Sequence, residues 1–339
     1  MSNFSDLYPS GGGEGGEVVA QKLLDHFVLL NGDAEALEVL LATDVTPSSF
    51  ATWISGSGKV VKFKQLISSP NGALAIVFSR TAMDAVVDSS VAMEEFSLSS
   101  VAMNAVAASS TAMNIVAASS TARTIIGSSG LAFDTISASN MAIGKYVAGN
   151  AQLDPTLFAD MNAVAASSTA MNAVAASDVA SDAVFTSSTA KLAVWNSDTA
   201  LSAYQANPTQ VQRQITERGV QVSHNGTSGD RSFTYVPLNT KVILLRAFHN
   251  TNNDFELAWR TTSTTVSPTP NSTDGVLLPN GDSLGTTELA IGRTTNYSNS
   301  GTAPTANNAN SNVVSAANGL RRMELSETFS TQTVIYIAV

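Results

Sequence analysis

Few side chains in this chain could do covalent or metal chemistry. Cysteine is absent, which removes disulfides, thiolate metal sites and thiol nucleophiles together. The three histidines, His26, His224 and His249, are scattered and leave little for a zinc site. Gly56-Ser57-Gly58-Lys59 ends like a phosphate-binding loop. It lacks the leading glycine at the required spacing, and Val60 stands where a Ser or Thr would hold magnesium. There is no G-x-S-x-G elbow. Asp230 beside Arg231, and Asp254 near Glu256, are carboxylates of the kind that glycoside hydrolysis uses in pairs. Surface charges on strand ends explain them more simply. His249, Trp259 and Tyr297 are candidate sugar contacts, although a Trp inside a strand more often belongs to a core. No catalytic, cofactor or metal residue is expected.

Composition narrows the class further. Of 339 residues, 13% are charged and 44% hydrophobic, against roughly 25% charged in an ordinary globular protein. The net charge of −10 argues against a nucleic-acid partner. No apolar run approaches the roughly 20 residues of a membrane span. The first residues show neither a basic segment nor a following apolar one, so synthesis and assembly in a cytoplasm are expected. Charge is unevenly spread: residues 1–80 carry 8 acidic and 5 basic groups, 81–206 carry 10 and 3, and 207–339 carry 9 of each.

The acidic middle zone is a repeat. Residues 101–110 read VAMNAVAASS and 111–120 read TAMNIVAASS. A marker alanine recurs every ten residues from Ala82 to Ala142. The register breaks around Asn150–Phe158, restarts with Asp160 in the alanine place, and continues through Ala170, Ala180, Ala190 and Ala200. Counting the marker as offset 0, the apolar residues at offsets 0, 1, 3 and 4 span an arc of about 160° on a helix. Strand alternation fails. Met83, Met93, Met103, Met113, Met161 and Met171 at offset 1 are expected as core filling. The Asn or Asp at offset 2 is expected to face outward, so Asn114→Asp should be silent and Val116→Asp severe. A continuous coiled coil would need overwinding and poor helix formers every ten residues. The pattern therefore predicts helices of about six to eight residues, each capped by a Ser pair. Such helices are too short to stand alone and must stack on neighbours. An elongated stalk over 72–206 follows.

The flanks differ. Residues 1–16 hold Phe4, Leu7 and Tyr8 ahead of a glycine-rich leash, a candidate docking peptide that orders on a partner. Residues 17–71 are expected to be helical, with helices at 17–31 and 33–43 and a strand or short helix at Val60–Ile67. Residues 207–218 read as a polar connector. Residues 219–339 show β-rich runs at Val220–His224, Ser232–Val236, Lys241–His249, Phe255–Thr261, Gly275–Leu278, Glu288–Arg293, Gly319–Leu325 and Thr331–Val339. Long polar loops between them suggest an antiparallel β-sandwich or jelly roll. The expected architecture is α+β and multidomain: an N-terminal helical segment, a stalk of short-helix repeats and a C-terminal sandwich.

Tandem decapeptides of this kind, clearest in MNAVAASSTAMNAVAAS at Met161–Ser177, resemble those of virion proteins of tailed bacteriophages, particularly tail fibres. The opening FSDLYPSGGG resembles the N-termini of phage structural proteins. The resemblance covers 81–206 well, the N-terminus loosely and the C-terminal region only in style. It implies a non-enzymatic, homotrimeric virion appendage. It would be docked to other virion proteins through its N-terminal region and carry a C-terminal domain for host-surface glycan. It supplies no catalytic residue, and neither nucleic acid nor membrane is expected as a partner. The competing readings are a polysaccharide-cleaving tail protein with carboxylates in residues 219–339, a head or baseplate fibre, and a bacterial surface adhesin.

Overall fold

The computed structural model describes residues 35–42 and 45–225, then the segments 232–236, 242–249, 255–259, 289–293, 314–316, 320–324 and 331–339. The expected docking peptide Phe4–Tyr8, the helix at 17–31, the strand at 275–278, and Asp230, Arg231, Asp254 and Tyr297 lie outside the described residues. The chain divides into two compact units, Met1–Val164 and Ala165–Val339.

The first unit is a coil of short helices: α1 (Glu35–Leu40), α2 (Pro47–Ile54), α3 (Lys59–Ser68), α4 (Pro70–Phe78), α5 (Arg80–Asp88), α6 (Ser90–Ser97), α7 (Ser100–Ala108), α8 (Ser110–Ala118), α9 (Ser120–Ser128), α10 (Gly130–Ser137) and α11 (Asn140–Asn150). Val60–Ile67, open between strand and helix in the sequence, lies in α3. The repeat helices are eight or nine residues long, slightly longer than the Ser spacing suggested. In α6–α9 the second Ser of the pair is itself the first helical residue.

Each helix packs on its neighbours and on the helix three further along: α2 on α5, α3 on α6, α4 on α7, α5 on α8, α6 on α9, α7 on α10 and α8 on α11. Three ten-residue units therefore complete one turn. At the corner between α7 and α8 the chain bends by 104°. Nine helical residues span only about 13 Å, so each side of the turn is one helix long.

The inward face is wider than the sequence expectation. Offsets 0, 1 and 4 are buried throughout α5–α8, as in Ala102, Met103 and Val106, or Ala112, Met113 and Val116. Offset 3 is buried in some units, as expected, including Ala85 and Ile115, and partly exposed in others, including Ala105 and Ile125. Offset 5 joins the face in several units, as in Ala107 and Ala117. A helix at one side of a triangular coil meets the interior on one flank and the turn below on the next, which widens the buried arc. The marker alanines sit where stacked helices approach most closely, and all six methionines at offset 1 are fully buried, as expected.

Corners carry a second set of bonds. The serine just before each of these helices is the N-cap, and its hydroxyl accepts from the marker alanine's N–H, as in Ser79–Ala82, Ser109–Ala112 and Ser139–Ala142. Several of these hydroxyls also donate to a carbonyl 32 residues earlier, one turn below. Ser99 donates to Ile67 O (2.9 Å), Ser119 to Val87 O (3.3 Å), Ser129 to Ser97 O (3.1 Å) and Ser139 to Ala107 O (3.3 Å). One side chain thus satisfies an orphan donor of its own helix and an orphan acceptor at the end of another.

The register break is a fold-back. After α11 the chain turns through Gln152, which adopts a left-handed φ of 58°, and forms a 3₁₀ turn at Pro155–Leu157 capped by Asp154. It then passes over α11, which is why Ala142–Gly149 are buried without interruption. Asp160, in the alanine place of the repeat, acts as a cap. Its Oδ1 accepts from Ala163 N–H at 2.9 Å and starts a shortened α12 (Met161–Ala166).

In the second unit the same stacking recurs among α13 (Ser168–Ala176), α14 (Asp178–Thr186), α15 (Ser188–Trp195), α16 (Asp198–Gln205) and α17 (Pro208–Arg218), with α13 on α16 and α14 on α17. Residues 208–218, read from sequence as a polar connector, are α17. Asn207 is its N-cap, Pro208 its first residue, and the Asn207 amide donates to Ala175 O at 2.6 Å, 32 residues back. Asn-Pro looked like a break because the repeat's serine is missing. It is instead a cap followed by the residue best suited to the first helical position. Ser181 replaces the offset-1 methionine. Tyr204 fills that space and donates its hydroxyl proton to Ser181 Oγ, and Ser181 in turn donates to Val174 O.

Among the described residues eight strands follow: β1 (Val220–Asn225), β2 (Ser232–Val236), β3 (Val242–His249), β4 (Phe255–Trp259), β5 (Leu289–Arg293), β6 (Val314–Ala316), β7 (Leu320–Glu324) and β8 (Thr331–Ala338). They form two antiparallel sheets in the orders β1-β8-β3-β6 and β2-β7-β4-β5. Strand β6 was not anticipated; it is three residues in an Asn/Ser-rich stretch. α17 packs on β3 and β8, and Lys191 Nζ donates to Ala338 O at 2.7 Å. A Cβ on Gly219 would lie 2.6 Å from both Ile215 O and Ile335 Cγ2, so only glycine allows the chain to leave α17 this closely.

Candidate functional site

A buried lysine with a cleft beside it lies where the fold-back crosses the coil of the first unit. Three helices stack there: α5, α8 and α11. Asp84 and Asn114 occupy offset 2 on α5 and α8, 30 residues apart, so the repeat places them one above the other. Lys145 is at offset 3 on α11. Its side chain reaches down to Asn114, and its ammonium is enclosed with only 2% of the residue exposed. It donates to Asn114 Oδ1 (2.7 Å), Pro155 O (3.2 Å) and Phe158 O (3.1 Å). All three acceptors are neutral carbonyl oxygens. Burial pushes the Lys145 amine below its ordinary value, opposed by the field of Asp154.

Beside this amine opens a cleft of about 370 Å³, lined by Arg80, Asp84 and Asp88 of α5, Asn114 of α8, and Asp154 and Thr156 of the fold-back, over a floor that includes Val87 and Ile115. Partial burial raises the Asp84 carboxyl; Arg80, 3.9 Å away, opposes this and Asp88 reinforces it. Asp154 is held low because Thr156 donates to it through both hydroxyl and backbone N–H. Two glycines permit the assembly. A Cβ on Gly144 would lie 2.3 Å from Asp160 C and Met161 N, and one on Gly149 2.1 Å from Ala117 O.

Asn114 was expected to face solvent and to be indifferent to substitution. The structure makes it the side-chain acceptor for a buried cation. The signal was available, since Lys145 is the sole basic residue between Arg123 and Lys191 and sits next to the register break. Periodicity alone could not show that the chain folds back there.

In the second unit, Arg213 of α17 pairs with Asp178 (3.3 Å) and Asp182 of α14 and with Glu217 (2.8 Å) on its own helix, while Arg218 reaches Asp182 at 3.0 Å. These bonds tie the last turn of the coil together. Of the candidate sugar contacts, His249 ends β3 opposite Gln332 in one sheet, and Trp259 ends β4 opposite Leu320 and Leu289 in the other. The sheets do not make strand neighbours of them. Glu256 lies in β4 opposite Met323 and Arg293. No group of three or more His, Cys, Asp or Glu able to hold a metal ion occurs among the described residues. No single described helix is long and apolar enough to cross a membrane.

No protein-family model matches the chain, and no match was found among curated proteins.

Proposed function

We propose that this chain is a non-enzymatic structural protein of a bacteriophage virion, a tail fibre-like appendage whose coil of decapeptides serves as a spacer. The carrying observation is the repeat. Its sequence resembles phage tail-fibre decapeptides, and its marker alanines, methionines and valines are buried within a coil that needs no ligand to close. The N-terminal peptide with Phe4, Leu7 and Tyr8 docks to other virion proteins. The two C-terminal sheets face each other as a sandwich whose loops contact a host-surface glycan, with His249, Trp259 and Tyr297 as the contacts to test. The appendage is a homotrimer. In each unit the coil turns its apolar residues to its own interior, so the threefold contact uses the strands that end the two sheet orders, β1, β6, β2 and β5.

Deletion of residues 1–16 should abolish incorporation into particles while leaving the chain folded. Deletion of residues 219–339 should spare incorporation and lose host binding. The reverse pattern would overturn the polarity. Release of oligosaccharide from host capsule by the purified protein, lost on changing Asp230 or Asp254, would overturn the non-enzymatic reading.

A further inference from the structure

We propose that Lys145 and Asn114 condense to a covalent isopeptide bond that ties adjacent turns of the coil together. The amine and the carboxamide are already in contact, with Nζ 2.7 Å from Oδ1. They belong to stacked helices, α8 and α11, and the lysine is almost wholly enclosed. Its other two partners are backbone carbonyls. Among the described residues no carboxylate forms an ion pair with this ammonium. An enclosed ammonium with no carboxylate in direct contact is driven towards its neutral form, and a neutral amine has the lone pair that attack requires.

The step balances without any added reagent. Lys145 Nζ gives up one proton by way of the adjoining cleft to leave the neutral amine, the form that burial favours. The lone pair forms a bond to Asn114 Cγ, the carbonyl π pair moves to Oδ1, and a tetrahedral centre results. When the carbonyl re-forms, the bond from Cγ to Nδ2 breaks. Nδ2 takes up a proton and departs as ammonia, while Nζ loses its second proton. The net change is amine plus carboxamide to secondary amide plus ammonia. Asp84, at the same repeat position as Asn114 one turn below and lining the same cleft, is the carboxylate placed to relay the second proton from Nζ to the leaving nitrogen. The cleft gives ammonia an exit, and the product removes a buried charge.

The test is the intact mass of the full-length protein, followed by proteolysis. The expected result is a mass short by one ammonia and a branched peptide joining the segments around Lys145 and Asn114. Lys145→Arg keeps a cationic donor but cannot make this bond, and Asn114→Ala removes the acceptor carbon. Both should show their full sequence mass, with helix content checked by circular dichroism. A wild-type chain at full mass after prolonged incubation overturns the proposal. So does an ammonia loss that persists in Asn114→Ala, which would place it at a succinimide elsewhere. If either variant fails to fold, the branched peptide in the wild type decides alone. The function proposed above does not depend on this bond.

Discussion

A corner serine does two jobs, and substitutions can separate them. Ser119 accepts from Ala122 N–H and donates to Val87 O. Removing an ordinary N-cap costs about 1 kcal/mol, and leaving a buried carbonyl unpaired costs about 1–3 kcal/mol more. Ser119→Ala should therefore lose about 2–4 kcal/mol in chemical denaturation. Ser119→Asp tests the geometry more sharply. Aspartate is as good a cap as serine on most helices, but here its carboxylate would face the Val87 carbonyl with no proton to offer, so it too should destabilise. An Asp variant as stable as wild type would show that the bond to the turn below contributes nothing. Val116, fully buried, should behave as the pattern implied, with Val116→Asp costing about 3–5 kcal/mol. Asn114→Ala should be destabilising as well, by about 1–3 kcal/mol. Where the Lys145–Asn114 bond has not formed, Asn114→Asp should be at least as stable as unlinked wild type because it gives Lys145 a counter-charge. Thermal melts of the five variants rank these effects directly.

Among elements, α1 depends on electrostatics. Glu35 pairs with Lys59 and Lys62 of α3 and accepts from Trp53 Nε1 of α2. The two lysines hold its carboxyl at about 2 rather than the ordinary 4.5. A depressed carboxylate contributes stability above its unfolded value, and that contribution fades as pH falls through the folded one. Docking of α1 should thus loosen between about pH 4.5 and pH 2, while the repeat helices, whose caps are hydroxyls, stay formed. Amide exchange across α1 and α8 over that range checks the difference. The fold-back gives a second element-level expectation. Gly144→Ala would drive a Cβ into the Asp160–Met161 backbone, and overpacking of this kind costs about 1–3 kcal/mol. The signature should be loss of protection around residues 151–160 with α4 and α7 unaffected.

For the whole molecule, how much could be read in advance divides along physical lines. The ten-residue unit, the helix ends at Ser pairs and the buried Met column followed from periodicity, because they depend on residues within one unit. The full width of the inward face did not. Offset 5 joins it at residues such as Ala107 and Ala117 because each helix is one side of a three-helix turn, a geometry set by residues 30 positions away. For the same reason the Lys145 site was missed: its members come from three turns and a register break. In residues 219–339, alternation located seven of the eight described strands, but it could not pair them across two sheets. The proposed homotrimer is a molecular-scale expectation. Light scattering on the purified chain should give three times the 35.1 kDa of one copy. A value near one copy would remove that support for the fibre reading.

The bonds that cross 32 residues bear on heredity as well as stability. Each joins a corner to the corner one turn below, and each corner is spelled by nearly the same ten residues. A gene segment of this kind can gain or lose copies by slippage, and the protein tolerates the event whenever the surviving serines again find carbonyls beneath them. Loss of one copy moves every later residue to the next side of the triangle. Loss of three restores each to its own side. Length in such a coil should therefore drift among related genes in multiples of three copies, with the fold-back at 151–160 and its lysine fixed in place as the exception that cannot slide.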